Sequence, residues 1–228
     1  EEKAKQMYEE YRFLDENVCY YPAKDLLFYQ ADIHGKLLIK QRMEVVQRLI
    51  ESNEAGSEEK SASIITTFDA LMDFLMPIEE IEACILTVEN GREYRFEELT
   101  RKIAQLGYER EVQVEGPGQF AVRGGILDIY PLTEELPIRI EFWGDEVDSI
   151  RTFDVDSQRS VENLERIVIY PSEELKSDNN SVSFIDYFNV KNTNLFLDEP
   201  VRLIEAGTRI EEEVVNARKM RALADNED

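Results

Sequence analysis

A series of short segments between residues 110 and 155 constrains the fold more than any other part of the chain. The segments are rich in β-branched and aromatic residues, and in order they read REVQVE, GQFAVRG, ILDIYP, LPIRIEFW and EVDSIRTFDV. The turn signals GPG, GG, PLTEEL and WGDE separate them. Strands joined by such short turns usually pair with their neighbours in sequence. These residues therefore predict an antiparallel meander.

The flanking segments show a different pattern, in which strands and helices alternate. Apolar residues at helical spacing predict helices over KAKQMYEEYRFL, the segment 36–51, FDALMDFLM, FEELTRKIAQLGY and the terminal VRLIEAGTRIEEEVVNARKMRALA. Short apolar runs predict the strands NVCYYP, SIITT and ACILTVE, and the runs ERIVIYP and TNLFLDEP have the composition of buried parallel strands. Such alternation is typical of a parallel sheet covered by helices.

Together the two patterns predict an α/β domain interrupted by a small β-rich domain. We assign residues 1–82 to the first part of the α/β domain and residues 83–162 to the inserted domain. Residues 163–228 then return to the α/β domain and end in a helix.

The charge of the chain limits its possible partners. It has 49 acidic and 26 basic residues, a formal net charge of −23. The resulting field repels phosphate, which opposes broad binding to nucleic acid but leaves room for a local basic patch. Cys19 and Cys84 lack CxxC spacing and are expected to be buried thiols of a reducing cytosol. Since no apolar run approaches about twenty residues, we expect a cytoplasmic protein with no membrane contact.

The motifs that would indicate catalysis are incomplete. LFLDEP resembles a Walker B strand, with Asp198 and Glu199 placed to hold magnesium, but the phosphate-binding GxxxxGK(S/T) loop is missing and GSEEKS has the wrong spacing. WGDEVDS and FDVDSQRS lack the spacing of a calcium loop. His34, the single histidine, has no serine elbow or cysteine partner. We therefore expect no catalytic, cofactor or metal site in this chain.

Arginines on the predicted meander are the clearest candidates for a functional role. Alternation in LPIRIEF places Arg139 and Glu141 on the face opposite its apolar residues, and alternation in QFAVR separates Arg123 from Phe120. The following GG pair predicts either a two-residue turn or a bulge. Arg110 lies nearby if its strand pairs with QFAVR, although periodicity alone places it on an apolar face. This face is either a solvated sheet surface or a docking surface.

The run LGYEREVQVEGPGQFAVRGGILDIYPLTEELPIRIEFWGDEVDSIRTFDVDSQRS resembles the second domain of bacterial transcription-repair coupling factors and, more distantly, that of UvrB. YYPAKDLLFY, KQRMEVVQRL and NLFLDEPVRLIEA resemble the first domain of the coupling factors. The resemblance implies a degenerate RecA/helicase-like parallel sheet domain with an inserted small α+β domain rich in antiparallel strands. It also implies a non-catalytic, UvrB-like module that recruits UvrA to stalled RNA polymerase in transcription-coupled nucleotide excision repair. The parent protein is then an ATP-dependent DNA translocase that contacts RNA polymerase and DNA through other domains.

The same resemblance implies the residues that contact UvrA. The UvrA-contacting arginines of the family correspond to Arg110 and Arg123. Two further residues, Arg139 and Glu141, match positions on the neighbouring strand. Phe120 matches an aromatic residue of the motif, for which packing is an alternative role. Where UvrB has a further arginine, this chain has Ala121. The segment YYPAKDLLFYQADIHG is too short for the DNA-clamping hairpin of UvrB, and the polar link at 175–182 is shorter than is usual in the family. The remaining alternatives are an active helicase or nuclease domain and a direct nucleic-acid-binding domain.

Overall fold

The computed structural model describes residues 2–24, 32–53, 62–174 and 180–224. Its helices are α1 (Glu2–Tyr11), α2 (Asp32–Asn53), α3 (Phe68–Leu71), α4 (Ile78–Cys84), α5 (Phe96–Gln105) and α6 (Pro200–Ala224), with a short 3₁₀ helix at Phe184–Tyr187. Its strands are β1 (Val18–Tyr21), β2 (Ser63–Thr66), β3 (Leu86–Glu89), β4 (Glu109–Glu111), β5 (Gln119–Arg123), β6 (Ile126–Tyr130), β7 (Ile138–Trp143), β8 (Glu146–Phe153), β9 (Ser160–Leu164) and β10 (Arg166–Ile169). The GSEEKS loop, residues 25–31 and most of the link at 175–182 lie outside the described residues.

The predicted meander forms most of a six-stranded sheet with the strand order β4-β5-β6-β7-β8-β9. Strands β5 to β8 pair antiparallel with their sequence neighbours, which confirms the meander. The GG pair forms a two-residue turn, since Arg123 pairs with Ile126 across it and Gly124 has a φ of 62°. Gly125 is required as well, because a Cβ there would lie 2.8 Å from the carbonyl oxygen of Phe142.

The two edges of this sheet differ from the sequence prediction. Strand β4 covers only Glu109–Glu111 and pairs parallel with β5. The chain between them is fixed by Gln119, whose side-chain oxygen accepts hydrogen bonds from the backbone N–H groups of Glu115 and Gly116. At the other edge, β9 is an additional strand that the polar sequence SVENL did not indicate.

One face of the six-stranded sheet packs against α5. Leu99 and Ile103 of that helix join a buried cluster with the inward-facing residues of the sheet, among them Phe120, Leu127, Ile129, Ile138 and Ile140. Complete burial of each such side chain stabilises the fold by about 1.5–3 kcal/mol. The sheet is therefore apolar on one face, and its opposite face is available for polar groups.

A second hydrophobic cluster lies among α2, β1 and the 3₁₀ helix. The rings of Tyr21 and Phe184 stack with their centroids 3.6 Å apart, and α2 contributes Met43, Val45, Val46, Leu49 and Ile50. The ribbon of β3 and β10 lies between the clusters, since Ile167 packs in the first and Val168 against the second. Domain boundaries at 82 and 162 stay a prediction.

Arg42 of α2 is buried in the second cluster, with 1% of its surface exposed. Its Nη1 lies 2.6 Å from the carbonyl oxygen of Pro22 and 2.9 Å from Oδ2 of Asp73, and its Nε donates to Glu174. Its guanidinium carbon lies 4.2 Å from the centroid of the Tyr21 ring. These contacts tie together segments that are distant in sequence.

The parallel sheet predicted for the flanking segments is only partly present. Strands β1 and β2 pair parallel, as in an α/β domain. The prediction for ERIVIYP is wrong, because β10 pairs antiparallel with β3, the strand that enters the inserted region. TNLFLDEP is not a strand, and Leu195, Phe196 and Leu197 are exposed. The described fold is mixed α/β with sheets rich in antiparallel strands.

Smaller differences concern the ends of the helices. FDALMDFLM is helical only at α3, because Leu75 leaves the helix to exchange backbone hydrogen bonds with Val182, and α4 begins after Pro77. Within the described residues, none of the helices is both long and apolar enough to cross a membrane.

Candidate protein-docking face

The outer face of the six-stranded sheet carries a row of charged side chains. Strands β6 and β7 alternate buried apolar residues with polar ones, so polar residues of neighbouring strands meet on the face opposite α5. In the pairing register, Asp128 lies beside Arg139, and Arg139 lies beside Arg151. We call the set Arg123, Asp128, Arg139, Glu141 and Arg151 the arginine face.

Asp128 is the centre of the arginine face. Only 1% of its surface is exposed, and three hydrogen bonds from two arginines satisfy its carboxylate. Arg139 donates from Nε to Oδ1 at 2.6 Å and from Nη2 to Oδ2 at 2.9 Å, and Arg123 donates from Nη2 to Oδ2 at 2.5 Å. Charge-assisted bonds of this fork geometry fix the direction of a guanidinium as well as its position.

Arg139 contacts Phe153 and Gln158 in addition to Asp128. Its guanidinium carbon lies 4.4 Å from the centroid of the Phe153 ring, and its Nη2 also donates to Oε1 of Gln158 at 2.9 Å. The hydrogen bonds to Asp128 raise the pKa of Arg139 above its usual range, which shows that they stabilise its charged form. With 12% of its side chain exposed, Arg139 mainly organises the face.

Gln158 reaches Arg139 from a tight turn in the segment FDVDSQRS. Its backbone has a φ of 58°, in the left-handed region. Asp154 begins the turn, and its Oδ1 accepts hydrogen bonds from the hydroxyl and the backbone N–H of Ser157 at 2.6 and 2.8 Å. These bonds lower the pKa of the Asp154 carboxyl, the hydroxyl contributing most. The charged form of Asp154 thus stabilises the turn that supports Arg139.

Glu141 and Arg151 form the second ion pair of the face. Arg151 donates from Nη2 to Oε1 of Glu141, and the hydroxyl of Ser149 donates to Oε2 at 3.1 Å. Both side chains are partly exposed, so solvent weakens the pair. Glu141 therefore lies on the predicted face but is already bound within the chain.

The structure separates the roles of Arg110, Arg123 and Phe120. Strand β4 does pair with β5, but the register sets Arg110 beside Phe120, so exposed Arg110 lies on the face of the sheet opposite the arginine face. Arg123 keeps 44% of its side chain exposed while bound to Asp128. Phe120 is 1% exposed and packs in the first hydrophobic cluster, which favours the packing role left open for it by the sequence.

Comparisons with known proteins agree with the sequence resemblance. Residues 86–175 match the family described as the UvrB interaction domain. Transcription-repair-coupling factors from Bacillus subtilis and Staphylococcus aureus are 36% identical over 161 residues and 33% identical over 159 residues. The factor from Haemophilus influenzae is 28% identical over 169 residues.

The chain belongs to the transcription-repair coupling factor family. These alignments cover 71%, 69% and 74% of the chain but 13%, 13% and 14% of the respective relatives. The chain thus spans about an eighth of the length of the curated relatives it matches. All five residues of the arginine face lie within the matched UvrB interaction domain.

Two residues that organise the arginine face, Asp128 and Arg151, were not identified from the sequence. Asp128 carries a detectable signal, since it is a charged residue between Leu127 and Ile129 in an otherwise apolar strand that the meander places beside Arg139. The signal for Arg151 is weaker, because the irregular register of β8 obscures which face of the sheet Arg151 lies on. A charged residue inside an apolar strand generally has an opposite charge beside it.

The residues considered for catalysis or reactivity in the sequence lie outside the arginine face. Asp198 and Glu199 are exposed and bind Lys3 at 2.6 and 3.0 Å. His34 lies in the first turn of α2, and its side chain is outside the described part of the chain. Cys19 and Cys84 are free, partly buried thiols, and burial raises the pKa of Cys19. In residues 2–24, 32–53, 62–174 and 180–224, no three His, Cys, Asp or Glu side chains are grouped to hold a metal.

Proposed function

We propose that this coupling-factor chain is a non-catalytic docking module that binds UvrA through the arginine face of its UvrB interaction domain. In the parent protein it recruits UvrA to RNA polymerase stalled at a lesion, in transcription-coupled nucleotide excision repair. The observation that carries this proposal is the bond between exposed Arg123 and buried Asp128. The family match and the likeness to the corresponding domain of UvrB support UvrA as the partner.

A preoriented arginine suits protein recognition for an energetic reason. Immobilising a long side chain during binding costs about 0.5–1.5 kcal/mol, and Asp128 has already restricted Arg123 before the partner arrives. The bond to Asp128 uses Nη2 of Arg123, so its other N–H groups are directed elsewhere. Such donors suit carboxylates or backbone carbonyls on the surface of UvrA.

The charge balance of the face supports the same kind of partner. Its three arginines and two carboxylates give it a net charge of +1, in a chain whose formal charge is −23. Exposed Arg110 lies on the neighbouring edge strand, in register with Phe120 and so on the other face of the sheet, and it does not add to this charge. A small positive site on an acidic protein selects an acidic protein surface and limits binding to extended nucleic acid.

We infer that the other residues form the supporting domain. Residues 1–82 and 163–228 would make a degenerate helicase-like α/β domain in which residues 83–162 are inserted. The separate cluster around Tyr21 and Phe184 supports this division. Contacts with RNA polymerase and DNA would come from other domains of a cytoplasmic parent protein.

A direct titration tests the proposed function. UvrA from the same organism is added to the chain in a calorimeter at low and physiological salt. In a second titration, duplex DNA is added to the chain under the same conditions. We expect saturable binding of UvrA that weakens with salt, and no appreciable DNA binding at physiological salt. Absence of UvrA binding at both salt concentrations would refute the proposed function. Submicromolar DNA binding at physiological salt would instead favour a nucleic-acid-binding domain.

A further inference from the structure

Trp143 is the single tryptophan of the chain and is 81% exposed. It ends β7, where burial alternates residue by residue, so it lies on the same face as Arg139 and Glu141. Its predecessor Phe142 points inward and contacts Phe96 edge to face, with the centroids 5.0 Å apart. The core is therefore complete at this position without the indole ring of Trp143.

Trp143 and Arg123 lie at the same end of the sheet. Arg123 precedes the turn Gly124–Gly125, and Trp143 precedes the turn that begins at Gly144. The Gly124–Gly125 turn contacts β7 next to Trp143, because the backbone N–H of Phe142 donates to the carbonyl oxygen of Gly125 at 2.8 Å. An exposed ring and an exposed guanidinium are thus presented from adjacent hairpin ends.

We propose that Trp143 is the apolar anchor of the docking face and inserts into an apolar recess, bordered by carboxylates, on the partner. The proposal rests on the proposed function, under which that recess lies on UvrA. Tryptophan and arginine are the residues that most often dominate the affinity of protein interfaces, and they do so as anchors seated in pockets of the partner. The positive charge of Arg123 at the same end of the sheet accounts for carboxylates at the border of the recess.

The position of Trp143 makes it a clean target for mutation. Because the ring is exposed and Trp143 pairs with Glu146 through its backbone across the Gly144–Asp145 turn, Trp143→Ala should fold with an unchanged melting temperature. We expect it to weaken UvrA binding by at least about thirtyfold, the loss typical of a central anchor. Trp143→Phe keeps an aromatic ring and should recover most of the affinity. Val161→Ala, at an exposed apolar position on β9, is the matched control and should bind like the parent.

A spectroscopic measurement reports on the ring itself. The chain is produced with 5-hydroxytryptophan at position 143, which is excited at wavelengths where the tryptophans of unlabelled UvrA do not absorb. Acrylamide should quench the free chain strongly and the complex with UvrA several-fold less, because the recess shields the ring.

The outcomes separate this inference from the function on which it rests. Loss of affinity in Trp143→Ala, together with shielding of the labelled ring, supports the anchor. If UvrA binds the parent and depends on Arg123, but Trp143→Ala keeps its affinity and quenching is unchanged, the anchor is refuted and the proposed function stands. If UvrA does not bind the parent chain, both are refuted.

Discussion

Arg123 and Asp128 are joined by a hydrogen bond of 2.5 Å between Nη2 and Oδ2, although 44% of the arginine side chain and only 1% of the aspartate are exposed. A buried carboxylate thus orients a surface arginine. Arg139 binds the same carboxylate through two nitrogens, so the carboxylate keeps partners if Arg123 is removed. The arginine can therefore serve binding without being essential to the fold.

Replacing Asp128 should damage both the fold and the arginine face. Asp128→Asn removes the buried charge that balances two arginines, and we expect it to lower the free energy of unfolding by about 2 kcal/mol or more. UvrA binding should weaken as well, because Arg123 loses its orientation. Urea denaturation measures the first effect and calorimetric titration the second. Asp148→Asn, at an exposed position on β8, should stay within about 0.5 kcal/mol of the parent, and equal losses in the two variants would contradict this role for Asp128.

Glu141 should influence the face mainly through Arg151. Their ion pair is partly exposed, so a double-mutant cycle of Glu141→Ala and Arg151→Ala should give a coupling free energy of about 0.5–1 kcal/mol in urea unfolding. In UvrA binding, the effect of Glu141→Ala should largely vanish when Arg151 is already alanine. Additive effects on affinity would show instead that Glu141 contacts the partner directly.

Asp154 should titrate below its ordinary pKa of 3.8, because Ser157 donates two hydrogen bonds to the charged form. Since the pKa of the folded state is depressed, the stabilisation is fully present above the unfolded pKa and is lost as the pH falls through the folded pKa. An NMR titration of the Asp154 carboxyl carbon measures this midpoint. In Ser157→Ala the midpoint should move back toward 3.8, and an unchanged midpoint would rule out the hydroxyl as its main cause.

Arg42 should matter for stability and not for docking. Arg42→Ala leaves Asp73 and Glu174 without their buried cation, and we expect a loss of about 3–5 kcal/mol in the free energy of unfolding. Arg48→Ala, on the same helix but bound to exposed Asn17, should cost less than about 1 kcal/mol. At a temperature where both variants are folded, UvrA affinity should equal that of the parent. A selective loss of affinity in Arg42→Ala would connect the cluster around Arg42 to the arginine face.

Local patterns in the sequence predicted the parts of the fold that depend on near neighbours. The alternation in QFAVR and LPIRIEF and the GG turn lead directly to β5, β6 and β7 and to the facing of Arg123 and Arg139. Strand β10 has the composition of a buried parallel strand, but its direction depends on the partner, and that partner is β3, 77 or more residues earlier in the chain. Composition cannot reveal which edge a strand will meet.

The arginine face was predictable in outline and not in its internal bonds. Alternation placed Arg139 and Glu141 outward, as the structure has them. The network around Asp128 escaped prediction because it requires the register between β6 and β7, together with a left-handed turn that brings Gln158 back to Arg139. Trp143 was not singled out from the sequence, and its position at the same end of the sheet as Arg123 depends on the register of β5, β6 and β7.

The most direct test of the central claim is the affinity of UvrA for Arg123→Ala. The variant is compared by calorimetric titration with the parent, with Arg123→Lys and with Arg166→Ala, an arginine at an exposed position of β10 outside the arginine face. We expect Arg123→Ala to keep its melting temperature and to lose about 2 kcal/mol of binding free energy, roughly thirtyfold in affinity. Arg123→Lys should recover part of the loss, since lysine lacks the planar fork, and Arg166→Ala should bind like the parent. Folded Arg123→Ala with the affinity of the parent would contradict the account, and the arginine face would then be a solvated sheet surface.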